Sequence, residues 1–108
     1  MGNKTKGGMK MDIEMYLIGK GFLPNLKGFD IIVEAVKLVR EDREYKLNAT
    51  KKLYPKLAEI FNDTQSKIVR AIRHSIDRAG LNYTSTELIA LAEIETREPQ
   101  KAQSKKNK

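Results

Sequence analysis

The sequence predicts an all-α fold, a small helical bundle within a single domain. Apolar residues recur at helical spacing in several segments, and no strand signal or internal repeat is evident. A short polar turn separates two of these segments, which is the pattern of a helix-turn-helix. At 108 residues the chain can bury one core without disulfides or metals.

We expect three parts: a basic, flexible N-terminal arm (residues 1–16), a helical domain (17–98) and a lysine-rich disordered tail (99–108). Residues 1–10 have too little apolar content to offset the entropy that ordering would cost. The segment from Gly19 to Gly28 contains three glycines and a proline and should be an irregular lead-in.

A long amphipathic helix is predicted from Phe29 to about Tyr45, because apolar residues recur at helical spacing along it. A second helical pattern begins near Ala49 and meets Pro55, which lacks a backbone donor and disfavours helix at Tyr54. We therefore expect a short helix that ends near Tyr54.

The helix-turn-helix is predicted as a helix from Pro55 to Phe61, a turn from Asn62 to Thr64 and a recognition helix from Gln65 to Ala79. Proline is favoured at the first position of a helix. Asparagine tolerates the left-handed conformation of a tight turn, and the Thr64 hydroxyl can cap the next helix, worth roughly 1 kcal/mol.

The last predicted helix runs from Thr86 to Thr96, with Leu88, Leu91 and Ala92 facing inward. Gly80 should close the preceding helix, and Thr84 or Ser85 should cap this one.

The net charge of +7 lies in the two tails, whose seven lysines equal the whole excess. Residues 12–98 hold 14 basic and 14 acidic side chains, so the predicted domain is neutral overall. Its charge is segregated, however, with +3 over residues 64–80 and −3 over residues 81–98. Such a local basic segment favours docking on nucleic acid more than the overall charge does.

The recognition helix has an apolar face and an opposite polar face when its residues are placed at 100° intervals. Arginine on such a face can donate two hydrogen bonds to guanine, while serine, histidine and lysine suit phosphates. The candidate DNA-binding residues are Ser66, Lys67, Val69, Arg70, Arg73 and His74. The alternative is a solvated surface, on which Arg73 could pair with Asp77 four residues later.

Catalytic and metal sites are not expected, and neither is a cofactor. The chain has no cysteine and a single histidine. No nucleophile and base are spaced in the sequence as a catalytic pair would require. No apolar stretch is long enough for a membrane span or a signal-peptide core, so we expect a cytoplasmic protein without a membrane partner.

The run LYPKLAEIFNDTQSKIVRAIRHSI at residues 53–76 resembles the C-terminal effector domain of the master sporulation response regulator of endospore-forming Firmicutes. LIG at 17–19, LKGF at 26–29 and TSTELIALA at 84–92 resemble the same family more weakly. The resemblance implies an all-α domain that binds short double-stranded DNA boxes, often in tandem, and contacts RNA polymerase. Its DNA-contacting positions fall on Ser66, Lys67, Arg70, Arg73 and His74.

The sequence departs from that family in three ways. Val69 stands where the family usually has a glutamate that faces the bases, which predicts a different sequence preference. The segment between Arg78 and Thr84 is shorter than usual, which affects the expected polymerase contacts and homodimer geometry. No receiver domain fits upstream, so control by aspartyl phosphorylation is not expected.

Our leading hypothesis is a stand-alone DNA-binding transcriptional regulator. One alternative is a helical protein-interaction module that uses the acidic last helix or the basic tails and modulates another regulator. A second alternative is a nonspecific DNA or RNA binder that acts through the lysine tails.

Overall fold

The structure, a computed structural model, describes residues 12–97, and every regular element in that range is helical. The helices are α1 (Ile13–Gly19), α2 (Lys27–Glu41), α3 (Glu44–Leu47), a π-helical turn (Ala49–Leu53), α4 (Tyr54–Phe61), α5 (Gln65–Arg78) and α6 (Ser85–Thr96). The predicted all-α class is therefore confirmed. None of these helices is long and apolar enough to cross a membrane.

Helix α2 is the centre of the bundle, packed against both α5 and α6. Its residues Ile31, Ile32, Ala35 and Val36 are fully buried. These residues belong to the apolar face of α2, which is packed into the core.

The predicted helix from Phe29 to Tyr45 is wrong at both ends, since α2 begins at Lys27 and ends at Glu41. Asp42 has an extended backbone, and its carboxylate accepts a hydrogen bond from the Glu44 backbone N–H at 2.9 Å. This local side-chain bond starts a new turn, α3, and replaces the continuous helix.

The predicted arm of residues 1–16 is too long by four residues. Ile13, Tyr16 and Leu17 lie in α1 and are buried in the core at the three- and four-residue spacing of an amphipathic helix. The folded domain therefore includes residues 13–16. The expectations for residues 1–11 and 98–108 lie outside the described residues.

The predicted short helix ending near Tyr54 is instead a π-helical turn that runs directly into α4. Tyr54 has helical backbone angles and is the first residue of α4, with Pro55 inside its first turn. Helix was expected to stop before the proline, but the missing proline donor costs little within a first turn.

Helix α6 buries a slightly different face from the one predicted. Thr84 is its N-cap, and the Thr84 hydroxyl and the Glu87 carboxylate form a reciprocal capping box. Leu88 and Ala92 are buried as expected, but Ile89 is the third core residue and Leu91 is half-buried.

A buried carboxylate joins α6 to the end of α2. Glu93 is 5% exposed and accepts hydrogen bonds from the side chains of Arg40, at 3.3 Å, and Arg97. Arg40 also donates to the Thr96 hydroxyl at 2.6 Å. Both guanidinium groups remain partly exposed, so they compensate the buried charge without being fully desolvated themselves.

Acid is expected to destabilise the protein through Glu93. The pKa of this carboxyl lies below its ordinary value because Arg97 donates a hydrogen bond to it; burial opposes this effect and Arg40 adds to it. A carboxyl with a lowered folded-state pKa stabilises the fold above its unfolded pKa and stops doing so as the pH falls through the folded value. The free energy of unfolding should therefore decrease as the pH falls below about 4.5.

Urea denaturation between about pH 7 and pH 3 measures this dependence. Glu93→Gln should cost about 1–2 kcal/mol at neutral pH and should lack the part of the acid dependence that Glu93 contributes. The matched control is Glu59→Gln, whose exposed pair with Lys56 should contribute less than about 0.5 kcal/mol. Equal acid dependence of Glu93→Gln and the unmodified protein would contradict the assignment.

Candidate nucleic-acid interface

The turn between α4 and α5 has the geometry that its sequence predicts. Asn62 is left-handed, with φ 53° and ψ 53°, and the Asp63 backbone N–H donates to the carbonyl of Ala58 at 2.9 Å. The Thr64 hydroxyl accepts a hydrogen bond from the Lys67 backbone N–H at 3.2 Å and so caps α5. The recognition helix was predicted to end at Ala79, which is instead the residue that follows its last helical position.

The turn is also tied to the start of α2. The ammonium of Lys27 lies 2.6 Å from the carboxylate of Asp63. The pKa of Asp63 lies below its ordinary value because Lys27 and the Thr64 backbone N–H donate hydrogen bonds to it. Lys27 therefore places a cation next to the N-terminus of α5, in addition to Lys67 of that helix.

The π-helical turn contacts α5 because of Pro55. The backbone N–H groups of Leu53 and Tyr54 donate to the carbonyls five residues earlier, those of Asn48 and Ala49. The next carbonyl in this series belongs to Thr50, and proline at position 55 has no N–H to offer it. The Gln65 side chain donates to that carbonyl instead, at 3.1 Å, which fixes the turn beside the first residue of α5.

Helix α5 has the two faces that the sequence predicts. Ile68, Ile72, Ser75 and Ile76 are buried against the core, and Ala71 is half-buried. The outer face carries the predicted site residues, of which Ser66, Lys67, Arg70, Arg73 and His74 are exposed and Val69 is half-buried. We call these six residues the outer face of α5.

The outer face is open to solvent and carries two shallow depressions between its side chains. Gln65 and Asp77 join five residues of the outer face, all except Lys67, around one depression, and Lys27 and Asp63 join Lys67, Arg70 and His74 around a second. Within residues 12–97, none of the cations on the outer face forms an ion pair with a carboxylate. Arg73 and Asp77, which could have paired, do not, so the cations remain available to a ligand.

Sequence reasoning missed three cations beside this face. Lys51 and Lys52 are exposed and directly follow Thr50, the residue that is bonded to Gln65. Lys27 reaches the turn from a distant part of the sequence. The adjacent lysines were a visible signal, but their position depends on the tertiary contact of the π-helical turn.

The chemistry of the site is that of an anion-binding surface. It combines exposed cations, hydroxyl and imidazole groups with the capped N-terminus of a helix, where backbone N–H groups favour negative charge. Among the described residues, no group of three or more His, Asp or Glu side chains is placed to hold a metal ion.

The family model described as "Sporulation initiation factor Spo0A C terminal" matches residues 13–107, nearly the whole chain. The match begins at the first residue of α1 and includes both helices of the helix-turn-helix.

Proposed function

We propose that the chain, which belongs to the Spo0A C-terminal family, regulates transcription by binding specific duplex sequences through α5. The members of this family are DNA-binding domains of a response regulator and not enzymes. The observation that carries this proposal is the set of exposed cations, without ion pairs among the described residues, on the outer face of α5. Polymerase contact on DNA, which the family resemblance implies, belongs to the same proposal.

The dimensions of α5 suit the major groove. Its 14 residues extend about 21 Å at 1.5 Å per residue, and the groove is about 12 Å wide and admits one helix. In this proposal, the first turn of α5 lies against a phosphate strand and the outer face points to the base edges.

The residues of the outer face divide by chemistry. Arg70 and Arg73 read bases, because a guanidinium can donate two hydrogen bonds to guanine O6 and N7. Ser66, Lys67 and His74 bind phosphates, which hold the helix in register without reading sequence.

Lys51 and Lys52 extend the phosphate contacts beyond α5. They adjoin the N-terminus of the helix, and contacts of this kind add affinity that depends on salt but not on sequence.

Val69 sets one part of the sequence preference. Its side chain packs partly against the core and is half-buried, so it offers a small apolar surface. Such a surface suits the methyl group of thymine, whereas an acidic side chain would accept a hydrogen bond from cytosine N4.

Selection from randomised duplexes tests the proposal. We expect enrichment of one motif, bound at least about 10³-fold more tightly than bulk duplex. Val69→Glu should change the preferred base at one position of that motif, with a discrimination of about 1–3 kcal/mol, and should leave the other positions unchanged.

Two results would contradict the proposal. One is the absence of an enriched motif, with all binding lost when residues 1–10 and 99–108 are removed, which would favour nonspecific binding by the lysine tails. The other is recovery of a protein partner without any duplex affinity, which would favour an interaction module.

A further inference from the structure

A depression of about 600 Å³ lies where the C-terminal ends of α2 and α6 meet α3. Ligand pockets in proteins usually measure about 300–1,000 Å³, so this one is large enough for a small organic molecule. We call it the α2–α6 pocket. Four basic side chains line it: Arg40, Arg43, Lys46 and Arg97.

The α2–α6 pocket has an excess of positive charge. Glu93 is the one carboxylate among its described lining residues, and the three carboxylates of residues 41–44 do not line it. Four cations and one carboxylate give a net charge of +3. The carbonyl ends of α2 and α6 each contribute about half a negative charge, which still leaves roughly +2. The pocket therefore attracts anions.

Arg40 is held in place before any ligand binds. Its Nη2 donates hydrogen bonds to the Thr96 hydroxyl at 2.6 Å and to the Glu93 carbonyl at 3.2 Å, and its Nε donates to the Glu93 carboxylate at 3.3 Å. Nη1 takes part in none of these bonds, and the side chain is 34% exposed. A donor that is fixed in advance loses little conformational freedom on binding, so Arg40 is suited to hold an anion.

Two further cations of the pocket have no partner among the described residues. Within residues 12–97, Arg43 and Lys46 form no ion pair. Arg43 is exposed and Lys46 is half-buried. A ligand can therefore form charge-assisted hydrogen bonds with both side chains without displacing an existing carboxylate. Because these cations lie in α3 and its N-cap while Arg40 belongs to α2, they suit a ligand with more than one anionic group.

The lining of the pocket also includes apolar side chains. Val39 is buried, whereas Ile94 is 48% exposed. An inorganic anion gains nothing from an exposed isoleucine, but the planar ring of an organic ligand would cover it. The side chain of Arg97 is 50% exposed, and a guanidinium plane is a surface on which such a ring can stack.

We propose that the α2–α6 pocket binds a nucleoside di- or triphosphate, with the phosphate chain on Arg40, Arg43 and Lys46 and the base against Ile94 and Arg97. This class of ligand combines adjacent anionic groups with a planar ring, which is the combination that the lining side chains match. A duplex would match the cations only, because its bases are stacked inside the helix. An acidic peptide likewise offers carboxylates without a ring.

The pocket is separate from the proposed DNA interface, and the nucleotide proposal does not rest on the proposed function. No residue lines both the pocket and either depression on the outer face of α5. Lys27, beside the N-terminus of α5, and Arg40 lie at opposite ends of α2, whose 15 residues extend about 22 Å. Substitutions can therefore change one site without touching the other.

Isothermal titration calorimetry of the full chain, without DNA or divalent cations, tests the proposal. Adenosine triphosphate is a sufficient probe, because stacking on isoleucine and arginine does not distinguish bases. We expect a dissociation constant in the micromolar range that rises with added salt. Inorganic triphosphate should bind about threefold to tenfold more weakly, since it lacks the ring, and adenosine should not bind.

Substitutions show where the nucleotide binds. Arg43→Ala combined with Lys46→Ala should weaken binding of adenosine triphosphate about tenfold or more. The matched control is Arg70→Ala with Arg73→Ala, which also removes two exposed arginine or lysine charges but from α5, and should leave nucleotide binding unchanged. Ile94→Ala should weaken binding of adenosine triphosphate and leave that of inorganic triphosphate unchanged. Thermal unfolding of each variant checks that the fold is retained.

Four results would overturn the proposal. The first is no binding of adenosine triphosphate at millimolar concentration. The second is loss of binding in the Arg70 and Arg73 variant, which would place the nucleotide on α5. The third is equal affinity for adenosine triphosphate and inorganic triphosphate, which would show that the apolar lining is not used. The fourth is tighter binding of a glutamate-rich peptide than of the nucleotide, which would indicate a protein partner. None of these results affects the selection of duplex sequences, so failure here is distinct from failure of the proposed function.

Discussion

Replacing both Arg70 and Arg73 with alanine is expected to abolish the selection of one duplex sequence over others while leaving the protein folded. The two residues lie three positions apart on the outer face of α5, both exposed and both lining the same depression. Each guanidinium that binds a guanine contributes about 1–3 kcal/mol of discrimination. Together they account for roughly 2–6 kcal/mol, which is about 30-fold to more than 10⁴-fold in affinity for the selected duplex.

A competition measurement between the selected duplex and a scrambled one gives the ratio of their affinities. This ratio shows whether the two arginines read bases. Lys51→Ala with Lys52→Ala is the matched control. It also removes two positive charges, but from the edge of the surface instead of its centre. It should weaken both duplexes equally and reduce the salt slope by about two, with the ratio unchanged. If the arginine pair behaves in the same way as the lysine pair, the arginines bind phosphates and α5 does not read bases through them.

Loss of folding can be separated from loss of contact in this experiment. Neither arginine is buried or forms an ion pair with a described carboxylate. Exposed substitutions of this kind usually change stability by no more than about 0.5 kcal/mol. An unchanged melting temperature therefore assigns the lost selectivity to the interface itself.

The parts of this site that could be predicted from the sequence depend on local interactions. The turn follows from Asn62, which occupies the left-handed region, and from Thr64, whose hydroxyl caps α5 by accepting a hydrogen bond from the backbone N–H three residues later. The two faces of α5 follow from its periodicity, because a helix fixes which side chains share a side. The six candidate residues therefore fell on one face, where their role in DNA binding stays a prediction.

The parts that could not be predicted depend on contacts between distant residues or on competition between neighbouring conformations. Lys27 and Asp63 are 36 positions apart in the sequence, and no periodicity of the sequence predicts that they pair. The break at Asp42 reflects a side-chain hydrogen bond that competes with the helix. The sequence of the π-helical turn predicts an ordinary α-helix, because no residue pattern indicates the wider hydrogen-bond spacing.

Gly28→Ala is expected to be strongly destabilising, although alanine is the better helix former. An added Cβ would lie 2.3 Å from the Ala71 carbonyl oxygen and 2.3 Å from the Ser75 hydroxyl oxygen. Alanine gains at most about 1 kcal/mol in helix propensity, whereas overpacking a core usually costs about 1–3 kcal/mol, occasionally more. Because one of the obstructing atoms belongs to the α5 backbone, α2 and α5 must separate, so we expect a cost at the upper end of that range and a net loss of about 2 kcal/mol.

Gly19→Ala provides the matched control, because Gly19 is also helical but an added Cβ there meets nothing within 4 Å. It should leave the melting temperature unchanged or raise it by a few degrees, at about 4–8 °C per kcal/mol for a domain of this size. A smaller effect of Gly28→Ala than of Gly19→Ala would show that α2 and α5 are not in this close contact.

A second substitution can divide the cost of the added Cβ between the two atoms it meets. The Ser75 hydroxyl is buried without a hydrogen-bond partner among the described residues, so Ser75→Ala alone should be neutral or slightly stabilising. In the Gly28→Ala background it should recover part of the lost stability by removing one obstruction. Recovery should stay incomplete, because no side-chain substitution moves the carbonyl of Ala71. Since that carbonyl belongs to α5, the residual cost should be accompanied by weaker duplex binding, measured on the selected sequence at a temperature where the variant is folded.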